Sequence, residues 1–242
     1  LAALALPAGL LAGAQAAAGL FPLLVPAGLL ARMRRGDPDD PLLRQILPLA
    51  AEAAAQPAGF CADPLREAGC QPVPGLLHKY RDRVLLVAHG SCAVHCRYCF
   101  RRHFPYREGG RGPRWWQAVC AWLAAHGEVE EVIWSGGDPL LLGDRVLAAQ
   151  AGAVAELPHI RRLRWHSRVP VVLPSRIDAG LCAWLAAIDR VKTVVIHANH
   201  PAELDAAVAG ACARLRAAGC LLPNQSVLLR RGTDDAGTLA GL

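Results

Sequence analysis

Cys92, Cys96 and Cys99 lie in Cys92-Ala-Val-His-Cys96-Arg-Tyr-Cys99, a C-x3-C-x2-C spacing directly after the apolar run 84–88. Three thiolates on one short loop can hold three irons of a four-iron, four-sulfur cluster and leave the last iron open. A closed electron-transfer cluster or a structural zinc site uses four protein ligands. The missing fourth ligand therefore points to a metal that binds and activates a small molecule. A zinc reading requires His89, His95 or His103 to complete the set.

The elements around this loop follow from hydropathy. From Val84 onward, apolar runs at 84–88, 130–134, 161–166, 193–197 and 221–229 predict strands. They alternate with helical patterns at 114–126, 144–156, 178–188, 203–218 and from 234. Such alternation predicts parallel βα units, either a barrel or an open doubly wound sheet. In both, chemistry sits at the carboxyl ends of the strands. The polar motifs obey that rule. The cysteines follow the first strand, Ser135-Gly136-Gly137-Asp138-Pro139 the second, Ser167-Arg168 the third and His197-Ala-Asn199-His200 the fourth, while Asn224-Gln225 lies within the fifth. Residues 1–83 are instead punctuated by Pro and Gly, with a turn at Asp37–Pro41 opening a helix near 42–47 and an extended linker at 71–75. The expected organisation is a mainly helical extension over 1–83 and an α/β unit over 84–242.

Bulk properties bound the function. A chain of 242 residues can bury one sizeable core. Its nine cysteines are an odd number, and Cys61, Cys70, Cys120, Cys182, Cys212 and Cys220 are scattered, unlike a secreted disulfide framework. A thiolate-held cluster needs reducing conditions, so a cytoplasmic location is expected. The net charge of +6 is almost wholly arginine, since Lys79 and Lys192 are the only lysines. Runs such as Arg101-Arg102 are short and sit in no nucleic-acid-binding motif, so no direct nucleic-acid partner is expected. The first 30 residues are uncharged and apolar, but Pro7, Pro22 and Pro26 leave about 14 residues between breaks. That is short of the roughly 20 needed for a span, and a short buried helix is predicted there. With no initiator Met and an end at Gly241-Leu242, the chain is expected to be an internal fragment.

The loop Cys92-x3-Cys96-x2-Cys99, with Tyr98 before the last cysteine, resembles the radical S-adenosylmethionine superfamily. The chain further resembles the lysine 2,3-aminomutase family over almost its whole length. Cys96-Arg-Tyr-Cys-Phe-Arg-Arg-His-Phe-Pro-Tyr106, Gly36–Arg44 and Pro74–Tyr80 are most similar to the branch that makes β-lysine for elongation factor P. The resemblance implies a partial (βα)6-type barrel, truncated after about five strands. It implies an isomerase that converts (S)-α-lysine to (R)-β-lysine with a [4Fe-4S] cluster, S-adenosylmethionine and pyridoxal 5′-phosphate.

The resemblance also assigns residues. Cys92, Cys96 and Cys99 hold the cluster. The Ser135, Gly136, Gly137 and Asp138 turn faces the methionine amino group, Arg168 pairs with its carboxylate, and Tyr98 and Gln225 flank the adenosyl group. Lys79, Tyr80 and Arg83 grip the pyridoxal phosphate, and Arg101 holds the substrate α-carboxylate. His197, Asn199 and His200 sit at the rim or as satisfied core groups. Implied partners are the lysine substrate, a flavodoxin or ferredoxin reductant, elongation factor P with its ligase, and a possible second copy of the chain; no membrane is expected. Neither Lys79 nor Lys192 sits in the family's context for the pyridoxal-binding lysine, so the fragment alone is expected to be inactive in the full reaction. Two alternatives remain: a free-standing lysine or glutamate aminomutase, and a non-catalytic metal-binding module.

Overall fold

The computed structural model describes residues 2–54, 58–110, 112–230 and 232–242. One sheet contains, in order, β1 (Leu76–Tyr80), β2 (Arg83–His89), β3 (Glu131–Gly136), β4 (Arg162–Ser167), β5 (Val191–Ile196) and β6 (Cys220–Leu221). β1 is antiparallel to β2, and every later pair is parallel. Strands adjacent in sequence are adjacent in the sheet throughout. A doubly wound sheet reverses its strand order at a switch point. This one never does. It is singly wound in the manner of a barrel, and the described strands leave it open between β1 and β6.

Helices α1 (Gly9–Leu20) and α2 (Ala27–Ala31) precede the sheet. After β2 come α3 (Gly112–Ala125), α4 (Asp144–Ala155), the short α5 (Val169–Val172), α6 (Ala179–Ala186), α7 (Ala206–Ala217) and α8 (Ala236–Ala240). Alternation of side chains gives the sheet two unlike faces. Leu86, Trp134, Trp165 and Val194 form one register row and are wholly buried. Trp134 and Trp165 stack with centroids 5.1 Å apart, and Trp184 of α6 meets Trp165 edge-on at 5.7 Å. The Trp134 indole N–H donates to Gln150 Oε1 of α4 at 3.1 Å, so the helices cover this face. The opposite face carries Ile133, Ser135, His166 and His197, which line a cavity. β4 spells out the division: Leu163 and Trp165 are buried, while Arg164 and His166 at the alternate positions are partly exposed.

β2 to β5 and α3, α4, α6 and α7 lie within a few residues of the predicted runs. Other expectations need correction. The strand expected over 221–229 reduces to Cys220–Leu221 plus an isolated parallel bridge from Ile196 to Asn224. Pro223 between them has no N–H to donate. The helix expected near 42–47 is a single 3-10 turn at Leu43–Gln45, opened by Asp40 Oδ1 accepting from the Leu42 and Leu43 N–H at 2.9 Å each. α1 is a helix but not a buried one. Among its described residues only Ala14 and Ala17 are buried, and Leu20 is 63 % exposed, because its flat Ala/Gly face packs closely on Ala50. β1 was not expected, since Leu-Leu-His-Lys-Tyr is short and half polar. It forms because Arg81 and Asp82 make a two-residue turn that pairs Tyr80 with Arg83. The sheet therefore starts before residue 84. No described helix is long and apolar enough to cross a membrane.

Leu163, fully buried on β4, sets a test of this core. Leu163→Ala should cost about 2–5 kcal/mol in urea denaturation, whereas Leu20→Ala on the exposed side of α1 should change stability by about 0.5 kcal/mol or less.

Candidate active site

The cavity has a volume of about 420 Å³ and runs from the cysteine loop along the open face of the sheet to the β1–β2 hairpin. Small-molecule sites fall in this size range. Cys92, Cys96, Tyr98, Cys99, Arg101, Ser135, Gly136, Gly137, Asp138, Arg168 and Gln225 all line it, as do Lys79, Tyr80 and Arg83 at its far end. His197 and Asn199 line it too, whereas His200 caps the turn at Pro201–Glu203 through its Nδ1.

The cysteine loop is held by the N-terminal segment. The His95 N–H donates to Leu24 O at 3.0 Å and the Arg97 N–H to Gln45 O at 2.8 Å. The Arg97 side chain pairs with Glu52 and donates to Phe21 O at 2.8 Å. His95 stacks on Phe21 and bonds Pro22 O through Nδ1, and His89 Nε2 lies against Asp138 O. Among the described residues no group of three or more His, Cys, Asp or Glu side chains converges on a single metal ion. Zinc gathers its ligands at about 2.0–2.3 Å from one point, while a four-iron cluster spreads its thiolates over separate corners. Burial pushes the Cys92 thiol up to about 12, helped by the charges of Asp138, Cys96 and Cys99, and burial also raises Cys99. Such thiols become ligands only when a metal takes their protons.

Arg168, at the carboxyl end of β4, is the hub. Its Nη1 donates to Cys96 Sγ at 2.7 Å, and its Nη2 donates to Gln45 Oε1 and, at 2.9 Å, to Glu203 Oε2. Its guanidinium also stands over the Tyr98 ring at 5.6 Å. Gln45 accepts from Asn199 Nδ2 at 2.9 Å and donates to Glu203 Oε1 at 3.0 Å. Asn199 Nδ2 reaches the Tyr98 hydroxyl at 2.6 Å. Burial acts to lower the Arg168 pKa, but Cys96, Tyr98 and Glu203 hold it well above the ordinary value. Burial likewise acts to raise Glu203, and Arg168 with Gln45 keeps it below its usual range. Both charges are therefore present. The Arg168 Nε remains buried without a partner, a donor that an anionic ligand group would satisfy.

The Ser135–Asp138 turn serves packing first. Asp138 Oδ1 accepts from Ser167 Oγ at 2.6 Å and Leu140 N, and Oδ2 from Arg168 N at 2.8 Å and Val169 N at 3.0 Å. Its carboxylate is saturated from within, which leaves backbone carbonyls as the turn's acceptors toward the cavity. Gly136 has φ +107°, and a Cβ on Gly137 would lie 2.3 Å from Ser91 O. The glycines let the cysteine loop lie directly on the turn, through Gly137 N to His89 O at 2.7 Å and Asp138 N to Ser91 O at 2.8 Å.

Arg101 is buried and paired with Glu67 through Nε and Nη2, with its Nη1 donating to Ser135 Oγ at 3.1 Å. Lys79 donates to Leu65 O, and Arg83 pairs with Asp82 beneath the exposed Tyr80 ring. On the opposite wall His166 bonds Gln225 Oε1 at 3.1 Å and meets His197 edge-on at 5.8 Å. Burial lowers both histidines to about 4, with added repulsion from Arg164 on His166 and from His166 and Arg168 on His197, so both are neutral near pH 7. His197 Nε2 is buried and unpartnered. Gln45, Glu67 and Glu203 escaped the sequence reading. The one local hint was Glu203, three residues after His200 and next to Pro201, a capping-box spacing.

An open α/β sheet wound in one direction, with three thiols on the loop after its first parallel strand, is consistent with the partial barrel of the radical S-adenosylmethionine class. Comparison with known proteins narrows this. The chain is 49 % identical over 233 residues to the L-lysine 2,3-aminomutase of Escherichia coli, covering 96 % of this chain and 67 % of that protein. It is 46 % identical to the enzyme of that name from Haemophilus influenzae, covering 93 % and 66 %. With the one from Clostridium subterminale the identity is 40 % over 82 % of this chain and 47 % of that protein. No family model matches. The chain belongs to the lysine 2,3-aminomutase family, and it spans about two thirds of the length of the first two relatives.

Gly137→Ala forces Ser91 away and should destabilise the protein by about 1–3 kcal/mol, with loss of iron uptake by the displaced cysteine loop. Gly152→Ala, in the open interior of α4, should instead raise the melting temperature. The histidine pair predicts acid sensitivity. The unfolded chain protonates these residues near pH 6.5, the folded one only near pH 4. Their contribution is complete above about pH 6.5 and is lost as pH falls from 6.5 toward 4. Thermal melts of the metal-free protein across that window should therefore flatten in a His166→Gln, His197→Gln double variant.

Proposed function

We propose that the protein is a radical S-adenosylmethionine aminomutase that converts (S)-α-lysine to (R)-β-lysine. The observation that carries this reading is that one cavity gathers three thiols, the buried Arg168 with a free Nε, and two further guanidinium groups, Arg101 and Arg83. The donor set fits the groups the family uses. When bound, the reduced cluster supplies an electron that cleaves the sulfonium of S-adenosylmethionine, and pyridoxal phosphate lets the substrate nitrogen migrate.

In this reading Cys92, Cys96 and Cys99 hold the cluster. Arg168 offers its Nε to the methionine carboxylate, while Glu203 and Gln45 keep the guanidinium charged and oriented. Carbonyls of the Ser135–Asp138 turn accept from the methionine amino group, and Tyr98 and Gln225 flank the adenosyl group. Lys79, Tyr80 and Arg83 bind the pyridoxal phosphate, and Arg101 the substrate carboxylate. The neutral His166 and His197 add no charge to the cavity wall, which suits a site that must keep water and stray protons from a reactive radical. Residues 84–242 form the main part of the catalytic unit, and residues 1–83 secure it and add β1, with Lys79 and Tyr80, to its sheet and cavity. The similarity over Cys96–Tyr106 favours β-lysine destined for elongation factor P through a partner ligase, in the cytoplasm and with a flavodoxin or ferredoxin as reductant.

Anaerobic reconstitution tests the proposal. The protein should take up about four irons per chain, release 5′-deoxyadenosine once reduced, and lose both properties in Cys96→Ala. The full-length protein should yield β-lysine by mass spectrometry. Zinc uptake without 5′-deoxyadenosine would overturn the radical reading, and β-glutamate in place of β-lysine would move the substrate.

A further inference from the structure

Glu67 lies 34 residues before Arg101, in a segment with no recognisable catalytic motif, yet the two make a buried two-point ion pair. Nε donates to Glu67 Oε2 at 2.9 Å and Nη2 to Oε1 at 2.5 Å, and the side chains are 8 % and 6 % exposed. On the other side Nη1 donates to Ser135 Oγ at 3.1 Å, and the guanidinium carbon sits 4.7 Å over the Phe100 ring. A guanidinium has five N–H donors. These bonds use three and leave one N–H on each of the two terminal nitrogens of a residue that lines the cavity.

The segment that carries Glu67 is itself tied down. Asp63 Oδ1 accepts from the Glu67 N–H at 2.9 Å and Oδ2 from the Ala68 N–H at 3.1 Å. Lys79 holds Leu65 O from the edge strand, and Arg66 adopts a left-handed φ of +53° that turns the chain between these two anchors. This left-handed turn immediately precedes Glu67 and sets where its carboxylate falls.

We propose that Glu67 is a positioning residue for substrate recognition. It occupies the Nε–Nη2 edge of Arg101 and thereby presents the Nη1–Nη2 edge to the α-carboxylate of the amino-acid substrate. This rests on the reading of Arg101 as the carboxylate-binding residue. Glu67 also balances the buried charge, so that Arg101 need not turn away to solvent or toward Asp138 when no substrate is present. A free arginine has many rotamers, whereas one locked on a carboxylate meets a second carboxylate with its geometry already set.

The test compares lysine with 1,5-diaminopentane, the same amine without the carboxylate, as a competitor in the full-length loaded enzyme. Glu67→Gln and Glu67→Asp should each raise KM for lysine about tenfold, the loss of about 1.4 kcal/mol of binding. The value of kcat should stay within about twofold, and the inhibition constant of 1,5-diaminopentane should not move, since it makes no use of Arg101. A general loss of packing would weaken both ligands together and would overturn the proposal. A fall in KM for lysine would also overturn it, by showing that Glu67 competes for the carboxylate seat. Arg101→Lys separates the two layers. If it leaves discrimination between lysine and the diamine intact, the reading of Arg101 fails; if it abolishes discrimination while both Glu67 variants keep it, only the role of Glu67 fails. Should the Glu67 variants not take up iron, Asp63→Asn keeps both members of the pair but removes one acceptor that holds the Glu67 segment, and a smaller rise of about twofold to threefold in KM for lysine alone is expected; an unchanged KM there would sink the proposal.

Discussion

The buried Arg168–Glu203 pair is the constraint on which the site depends. Two charges with side-chain exposures of 5 % and 0 % are costly to remove from water, and their mutual attraction offsets that cost only when the remaining donors and acceptors are filled. Filling them recruits distant parts of the chain. Gln45 comes from the N-terminal segment, Cys96 and Tyr98 from the loop after β2, and Asn199 from the end of β5. One guanidinium therefore fixes where the cysteine loop lies relative to the sheet.

The same logic explains why the N-terminal segment is more than an appendage. It supplies the carbonyls that bind the backbone of the cysteine loop, and it carries Glu52, Gln45 and Glu67, each of which fixes an arginine beside the thiols. Arginine suits this task because its fork can bind a carboxylate on one edge and still offer donors on another. The site is thus built from guanidinium groups whose positions are decided by protein carboxylates before any ligand enters.

Packing and chemistry share the turn after β3. Asp138 spends its carboxylate on the first turn of α5 and on Ser167, which locks β3 to β4 at their carboxyl ends. The glycines beside it remove side chains where the cysteine loop must lie. Conformational freedom at Gly136 and close approach at Gly137 are thus tertiary requirements as much as ligand-binding ones.

Local signals were legible in the sequence. The cysteine spacing, the strand–helix alternation and the position of polar motifs after apolar runs depend on residues near one another in the chain, and the structure gathers all of those motifs at one cavity. The proline that shortens β6 and the aspartate that converts an expected helix into a 3-10 turn were visible as residue types, but their effect depends on neighbours. Glu67, Gln45 and Glu203 were not legible, because nothing local distinguishes a buried carboxylate or amide from a solvated one. Gln45 meets Glu203 across 158 residues of sequence. The sequence by itself determined which groups could do chemistry and that they would share one rim, because side-chain period and strand order are local. Only the tertiary structure decided which charges neutralise one another, because pairing in a low-dielectric interior is set by which segments meet in space.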